Sequence, residues 1–377
     1  MILAPELEMI RDSVRVFARE QLAPNAAQWD REATFPAKAL QGLAQLGLFG
    51  IAVPEEWDGA GLNYLAVAVA MEEIAAGDGA TSTIIAVNNL VAGILNGFGS
   101  PGQKERYLKP LARGTSLGCF CLTEPHVGSD AAAIRTNARR EAGGWVLNGT
   151  KQFITSGKTA DVAVVFARSE GSAGKKGISA FVLPTAAPGY TVTRIEEKMG
   201  QHASDTAQIA LEDCRIPPEA LLGQEGEGYR IALSNLEGGR IAIAAQSVGL
   251  ARSAYEAALK YARERIAFGK PIIEHQATNF RLADMATSIE VARQMVWHAA
   301  VLRDARRPAL KEASMAKLFA SEIAEKVCSD AIQIHGGYGY VTDFPVERIY
   351  RDARVAQIYE GASDIQRLLI GRTIAGE

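Results

Sequence analysis

The sequence predicts a multi-domain α+β protein in which a helical segment, a β-barrel or sandwich and a second helical segment follow one another. Three observations carry this. Apolar residues recur at spacings of three and four from Pro5 to about residue 115; short β-branched and aromatic runs fill the stretch from Leu117 to about Pro218; long alanine- and leucine-rich helical patterns return after Gly223. A chain of 377 residues also exceeds the ~250–300 at which one core usually stops growing. The division expected is therefore 1–116, 117–222 and 223–377.

In the first segment Leu7, Ile10, Val14 and Phe17 form one helical stripe. A glycine-rich loop over Leu46–Gly61 interrupts the pattern, which resumes from Leu65 to Ala76 and from Thr81 to Leu95. Gly97-Phe-Gly-Ser-Pro-Gly102 matches the letters of the dinucleotide fingerprint G-x-G-x-x-G, but that motif must follow a strand. A helical stretch precedes it here, and Ser100 with Gln103, and proline between them, spells a capping box. The segment is expected to be a helix-to-helix turn, so a dinucleotide would have to bind in some other way.

In the middle segment, Gly118–Thr123, Trp145–Asn148, Lys151–Thr155, Val162–Phe166 and Ile178–Leu183 read as strands. Turn residues at Gly143-Gly144, Asn148-Gly149 and Gly171–Gly174 separate them, as in a small antiparallel barrel or sandwich. Cys119 and Cys121 alternate along the first strand, so their thiols point to one side. Beyond Gly223, helices are expected over about 225–264, 271–304 and 310–335, with breaks at Phe268-Gly-Lys-Pro271 and Arg307-Pro308. Helices of that length packed side by side make a bundle.

Composition excludes several classes. Apolar residues are 48% and charged residues 22% of the chain, an ordinary globular balance. A formal net charge of −3 argues against nucleic acid as a partner. Four cysteines and five histidines are too few and scattered for a disulfide framework or a metal site, so no metal is expected and the thiols simply pack. The N-terminus lacks a basic region followed by an apolar core, and no apolar run reads as the ~20 residues of a membrane span. A cytoplasmic compartment is the expectation, or the mitochondrial matrix for a processed eukaryotic chain.

Chemistry concentrates in three places. In Gln357-Ile-Tyr-Glu-Gly-Ala-Ser-Asp-Ile-Gln-Arg367, Glu360 lies between an aromatic ring and a glycine. Ser363 and Gln366 there spell a second capping box ahead of Leu368-Leu369-Ile370. A carboxylate desolvated in such a turn has a raised pKa and can serve as a base near neutral pH. Thr123-Glu-Pro-His-Val-Gly-Ser-Asp130 follows a strand and offers backbone N–H groups and two hydroxyls to phosphate or carbonyl oxygens. Phe153 and Thr155, two residues apart on a strand, share a face on which a planar ring could rest.

The order of motifs resembles the acyl-CoA dehydrogenase family along essentially the whole chain, closest to its short- and medium-chain, butyryl-CoA dehydrogenase-like branch. The resemblance rests on Thr123-Glu-Pro with Gly128-Ser-Asp130, Asn148-Gly-Thr-Lys151 with Phe153-Ile-Thr155, and Lys198-Met-Gly with Ser204-Asp-Thr206. Glu212-Asp-Cys-Arg-Ile-Pro217, Arg265-x-x-Phe-Gly269, Gln333-x-x-Gly-Gly-x-Gly-Tyr340 and Tyr359-Glu-Gly361 complete it. It implies a helical N-terminal domain, a β middle domain and a C-terminal four-helix bundle, assembled as a homotetramer with FAD in each subunit. It further implies oxidation of an acyl-CoA to the trans-2-enoyl-CoA, with electrons passing to an electron-transfer flavoprotein.

By matching position, Phe120, Leu122, Thr123, Ser129, Phe153 and Thr155 would meet the flavin and its phosphate arm, with Ala362 and Asp364 also at the cofactor. Arg265, Phe268, Gln276, Gln333 and Gly337 would hold its adenosine and pyrophosphate end, partly across a subunit boundary. Glu360 would be the catalytic base, its backbone N–H helping to polarise the thioester oxygen. Ser129, Glu237, Arg240, Tyr359 and Gly361 would face the substrate. Isovaleryl- and long-chain-type relatives carry their base where this chain has Gly239, which cannot act as one and which favours a short or medium straight acyl chain.

The chain departs from the family pattern at Ala362, where a threonine is usual, at Asp364, at Phe153 in place of tryptophan, and at Gln201-His202 in place of an arginine-containing pair. The alternative reading is a flavoenzyme of the same fold with other chemistry, an acyl-CoA oxidase or a substituent-removing enzyme. A third is an assembly protein that kept the fold and lost the site, against which the intact base and cofactor motifs count.

Overall fold

The computed structural model describes residues 1–376. Its first segment is helical: α1 (Pro5–Phe17), α2 (Ala23–Glu32), α3 (Ala37–Gln45), α4 (Tyr64–Gly77), α5 (Gly79–Phe98), α6 (Pro101–Gln103) and α7 (Lys109–Arg113). On α1 Val14 is buried, and Leu7, Ile10 and Phe17 pack beside it on the same core. Leu65–Ala75 on α4 are buried without a break, its apolar residues facing every side of the helix and its two acids, Glu72 and Glu73, buried with them.

Caps set the starts of these helices: Asn63 accepts from the Ala66 N–H, and Asp78 from the Thr81 N–H. The capping box at Ser100 forms as expected. Gln103 also donates to the carbonyls of Glu219 (2.7 Å) and Leu221 (3.0 Å), tying this turn to the sheet segment. One expectation needs correcting, because α5 spans 20 residues and is apolar enough to cross a bilayer by length and composition. Its buried Thr81, Ser82 and Asn88 all make hydrogen bonds within the fold, which marks it as a core helix.

The middle segment contains β1 (Gly118–Cys121), β2 (Asn137–Glu141), β3 (Gly144–Thr155), β4 (Val162–Ser169), β5 (Ile178–Pro184), β6 (Tyr190–Ile195), β7 (Thr206–Ile216) and β8 (Leu221–Leu222). They form one sheet in the order β6-β7-β3-β2-β4-β5-β8, with β1 also on β4. The sheet is mixed rather than purely antiparallel, since β1 and β2 both run parallel to β4. Asn148-Gly149, expected as a turn, lies inside the single long strand β3. That strand keeps pairing with β7 through register shifts at Leu147/Gly149 and Lys151/Ile154, bulges of the kind that bend a strand without ending it.

The reading by apolar runs passes over β2, β6 and β7. On β2 only Ala138 is buried, β6 is largely exposed, and Glu212-Asp213 interrupts the alternation of β7. Cys119 and Cys121 do share a face, with Sγ atoms 3.8 Å apart, and all four cysteines are free and buried.

The last segment contains α8 (Gly228–Glu264), a tight hairpin of β9 (Ile266–Ala267) and β10 (Lys270–Pro271), α9 (Gln276–Asp304), α10 (Leu310–His335), α11 (Val346–Arg354) and α12 (Ser363–Ala375). In the bundle α10 packs on α8, α9 and α12, while α8 also packs on α4 and α5. A side chain at Gly249 on α8 would sit 2.2 Å from the Glu72 carbonyl of α4, so this close crossing requires glycine. Buried Glu72 and Glu73 fasten the crossing through Arg252 of α8 and tie α4 to Arg15 of α1 and Arg293 of α9 as well.

Candidate active site

Between α11 and α12 the chain makes a tight turn at Tyr359–Ala362. Glu360 has φ 53° and Gly361 φ 88°, and a non-glycine residue in that region persists only where its surroundings hold it. The expected capping box at Ser363 does not form. The helix begins at Ser363 itself, leaving Ala362 as the N-cap residue with no capping side chain. Gln366 instead turns its amide back onto the turn, donating to the carbonyls of Gly361 (2.8 Å) and Glu360 (3.2 Å). Lys317 on α10 donates to the same Gly361 carbonyl at 2.7 Å.

Tyr359 is anchored separately. Its hydroxyl donates to Gln246 on α8, with Thr83 on α5 and Gln201 of the loop after β6 each 3.4 Å away. The Gln246 amide in turn donates to Thr83 and Ser82, both at 2.7 Å. Helices from both helical segments and a loop from the sheet segment thus converge on the residue before the carboxylate. Next to Gln201, His202 faces the Asp30 carboxylate (3.0 Å) and the Lys198 carbonyl (2.6 Å).

The Glu360 Oε2 is buried and has no hydrogen-bond partner among the described residues. Burial raises its pKa to about 7, although Arg240 and Lys317 both pull it down. Arg240 on α8 is itself buried, and its Nε and Nη1 have no partner among the described residues. Burial lowers its pKa, while Glu360 and Glu237 act to keep it charged. Burial likewise raises the Tyr359 hydroxyl to about 12, so that group stays a neutral donor.

Gly239 explains how the carboxylate fits. A Cβ there would lie 2.7 Å from Glu360 Oε2 and 3.1 Å from its Cδ, so this glycine and the acid divide one space. Gly239→Ala is expected to displace the carboxylate and slow the reaction by about 100-fold, the usual effect of an ~1 Å misplacement. Stopped-flow rates of the two proteins check this.

Gly239 also lines a cleft of about 330 Å³ with Tyr64, Val67, Leu90, Gly93 and Gly238. At its rim Arg303 pairs with Glu237 (2.7 Å) and lies over the Tyr64 ring at 4.1 Å.

The sheet segment supplies a second set. Glu124 is almost fully buried, accepting from the N–H groups of Arg135 (2.7 Å) and Thr136 (2.9 Å) and pairing with the fully buried Lys151 at 2.8 Å. Lys151 also donates to the Leu122 carbonyl at 3.1 Å, so the ion pair fixes the bend that begins at Thr123. Leu122 is buried, Phe120 rests on Phe166 with ring centroids 5.0 Å apart, and Thr123 and Thr155 are half-buried. Ser129 is exposed, and Phe153 has φ 58° with 63% of its surface exposed. Among the described residues the hydroxyls of Thr123, Ser129 and Thr155 make no hydrogen bond, and they stand on the same segment as an uncovered aromatic ring. That donor set fits a planar cofactor with a phosphate arm.

The third set lies elsewhere. Arg265 and Gly337 line a cleft of about 590 Å³ at the end of α8, where Arg265 sits over the Tyr338 ring at 6.0 Å. Phe268 is almost entirely exposed, and Gln276 and Gln333 are exposed. Arg265 follows Gly239 by a run of helix roughly 40 Å long at 1.5 Å per residue, so the structure does not bring this set to Glu360. Ala362 is half-buried beside the turn, and the Asp364 side chain points to solvent.

Sequence reasoning missed Lys317, Gln246 and the structural part of Lys151. The signal for Lys317 was a lysine on the stripe Ala313, Ala316, Ala320, Ala324, all of which are fully buried.

Comparison with known proteins gives the class. Models of the acyl-CoA dehydrogenase N-terminal, middle and C-terminal domains match residues 4–115, 119–214 and 226–375. The short-chain specific acyl-CoA dehydrogenase of Rattus norvegicus mitochondria is 50% identical over 364 residues, 96% of this chain and 88% of that protein. Butyryl-CoA dehydrogenase from Megasphaera elsdenii superposes with a TM-score of 0.97 at 38% identity, covering 100% of this chain and 99% of that one. A chain from structural work on the electron transferring flavoprotein of Acidaminococcus fermentans superposes with a TM-score of 0.98 at 44% identity, covering 100% of both. The chain belongs to the acyl-CoA dehydrogenase family. It is accordingly an oxidoreductase that uses FAD.

Proposed function

We propose that the protein converts short- and medium-chain acyl-CoA thioesters to their trans-2-enoyl-CoA products and passes the electrons to an electron-transfer flavoprotein. The observation that carries this is the Glu360 carboxylate: buried, unpartnered at Oε2, with a pKa of about 7, against the glycine that lines the cleft. A base of that pKa is ionised in part at neutral pH and still strong enough to take a weakly acidic proton. FAD, when bound, supplies the acceptor for the hydride that leaves the β-carbon.

Glu360 takes the α-proton. Its own N–H, which has no acceptor among the described residues, donates to the thioester oxygen and favours the charge that develops there. Tyr359, Gly361 and Arg240 shape the base's surroundings, Ser129 meets the substrate at the sheet edge, and Glu237, paired with Arg303, lies along the coenzyme A arm. Thr123, Ser129, Phe153 and Thr155, backed by Phe120 and Leu122, hold the flavin and its phosphate arm, with Ala362 and Asp364 at its margin. The segments 1–116, 117–222 and 223–377 act as three domains that meet around this site.

Arg265, Phe268, Gln276, Gln333 and Gly337 are too far along the bundle to serve the same cofactor, so they complete the site of a neighbouring subunit in a homotetramer. The exposed apolar side chains of Ile266, Phe268 and Phe280 beside them support that assembly. The Acidaminococcus fermentans neighbour supports the choice of electron acceptor.

Incubation with butyryl- through octanoyl-CoA and purified electron-transfer flavoprotein tests the reading by mass spectrometry of the thioesters. Products lighter by two hydrogens, formed only with the flavoprotein present, are expected. Equal turnover with oxygen alone would make the protein an oxidase, and turnover confined to long or branched chains would overturn the substrate class.

A further inference from the structure

We propose that Lys317 and Gln366 are positioning residues for the base: together they clamp the Gly361 carbonyl and thereby hold Glu360 in its left-handed turn with the carboxylate against Gly239. The proposal rests on Glu360 being the base. Its geometry is independent of that reading, because one carbonyl receives two donors, Lys317 Nζ at 2.7 Å and Gln366 Nε2 at 2.8 Å. A carbonyl oxygen has two lone pairs, so this one is fully used. Gln366 reaches the Glu360 carbonyl as well, at 3.2 Å, so both peptide planes that flank Gly361's nitrogen and carbonyl ends are fixed. A side chain on Gly361 would lie 2.5 Å from Gln366 Nε2, which leaves glycine there as the residue compatible with the clamp.

Lys317 and Gln366 are both fully buried. An ammonium inside a bundle is costly unless something specific repays its desolvation. Lys317 stands on the alanine stripe of α10 and, among the described residues, forms no ion pair within 4 Å. Burial lowers its pKa to about 8, Glu360 supports its charge, and Arg240 opposes it. A lysine placed only to fasten helices would be expected to meet a carboxylate directly; this one meets the turn that carries the base. The charged and titratable groups around Glu360 are Arg240 from α8, Lys317 from α10 and Tyr359 in the turn itself, with Glu237 acting on Arg240.

The two residues then have separable effects. Lys317 supplies a hydrogen bond and a positive charge that favours ionised Glu360; Gln366 supplies hydrogen bonds alone. The test is the pH profile of flavin reduction by butyryl-CoA, measured by stopped flow on FAD-loaded wild type, Lys317→Met, Lys317→Arg, Gln366→Met and Glu360→Gln. Lys317→Met is expected to slow reduction by about 100-fold and to move the acid limb up by roughly one pH unit, with KM and FAD content unchanged. Lys317→Arg is expected to bring the limb back. Gln366→Met is expected to slow reduction with the limb in place, and it keeps the proposal testable if Lys317→Met does not fold.

A Lys317→Met profile that overlays wild type, with Glu360→Gln inactive, would overturn the proposal and leave the base assigned. So would lowered thermal stability with an unmoved limb, the mark of a purely structural lysine. Reduction retained in Glu360→Gln would instead remove the reading beneath it.

Discussion

Glu360→Gln is expected to keep FAD and to lower the rate of flavin reduction by acyl-CoA by at least about 10²–10⁴-fold, the range a positioned general base contributes. The amide has nearly the same shape and fits the same space beside Gly239, so loss of activity reports the proton acceptor rather than the fold. In wild type the rate should follow ionisation of a group of pKa about 7. Glu360 is competent when ionised, so kcat/KM falls tenfold per pH unit below that value and levels off above it.

The same raised pKa has a stability consequence of opposite sense. A carboxyl whose folded pKa lies above its unfolded value contributes stability below the unfolded value and loses it as pH rises through the folded one. Wild type is therefore expected to lose stability relative to Glu360→Gln between about pH 4.5 and 7. Thermal denaturation of the two proteins across that window measures it.

Lys151→Met is expected to produce the largest loss of stability, about 3–5 kcal/mol. Lys151 and Glu124 are both essentially solvent-free, so removing the cation leaves a buried carboxylate with two backbone N–H groups and the His126 ring, 3.5 Å away, in place of a full positive partner. Burial by itself raises the Glu124 pKa, and Lys151 together with the hydrogen bonds from Thr136 and Arg135 brings it below the usual range. A depressed carboxyl stabilises above its unfolded pKa and stops doing so as pH falls through its folded one, so the intact pair fails in acid. Lys151 also holds the Leu122 carbonyl, and its loss frees the bend at Thr123, so FAD retention falls too. Urea denaturation with the flavin-to-protein absorbance ratio follows both effects. The double variant Lys151→Met with Glu124→Leu is expected to recover much of the stability, since no charge is then left unpaired.

Much of this architecture was legible in the sequence wherever local chemistry decides local structure. The Ser100–Gln103 capping box formed because its two hydrogen bonds close within four residues. The similar letters at Ser363 and Gln366 failed because Gln366 is claimed by two carbonyls of the preceding turn. Asn148-Gly149 has the letters of a hairpin turn, but β7 pairs on both sides of it and absorbs the irregularity as a bulge.

Glu360 itself could be found from its neighbours, yet burial raises its pKa, and the two cations that moderate the rise, Arg240 and Lys317, stand 120 and 43 positions earlier in the chain. Lys317 was passed over because a charged residue on a helix reads as solvated; its place on the alanine stripe was the sign of burial, and packing shows that it faces the turn.

The most direct test of the central claim is anaerobic titration of the FAD-loaded protein with straight and branched acyl-CoAs, following the visible absorption of oxidised flavin. Bleaching by butyryl- to octanoyl-CoA in wild type, and its absence in Glu360→Gln with flavin still bound, is the result predicted. Bleaching that survives in Glu360→Gln, or flavin-loaded wild type that no acyl-CoA reduces, would contradict it.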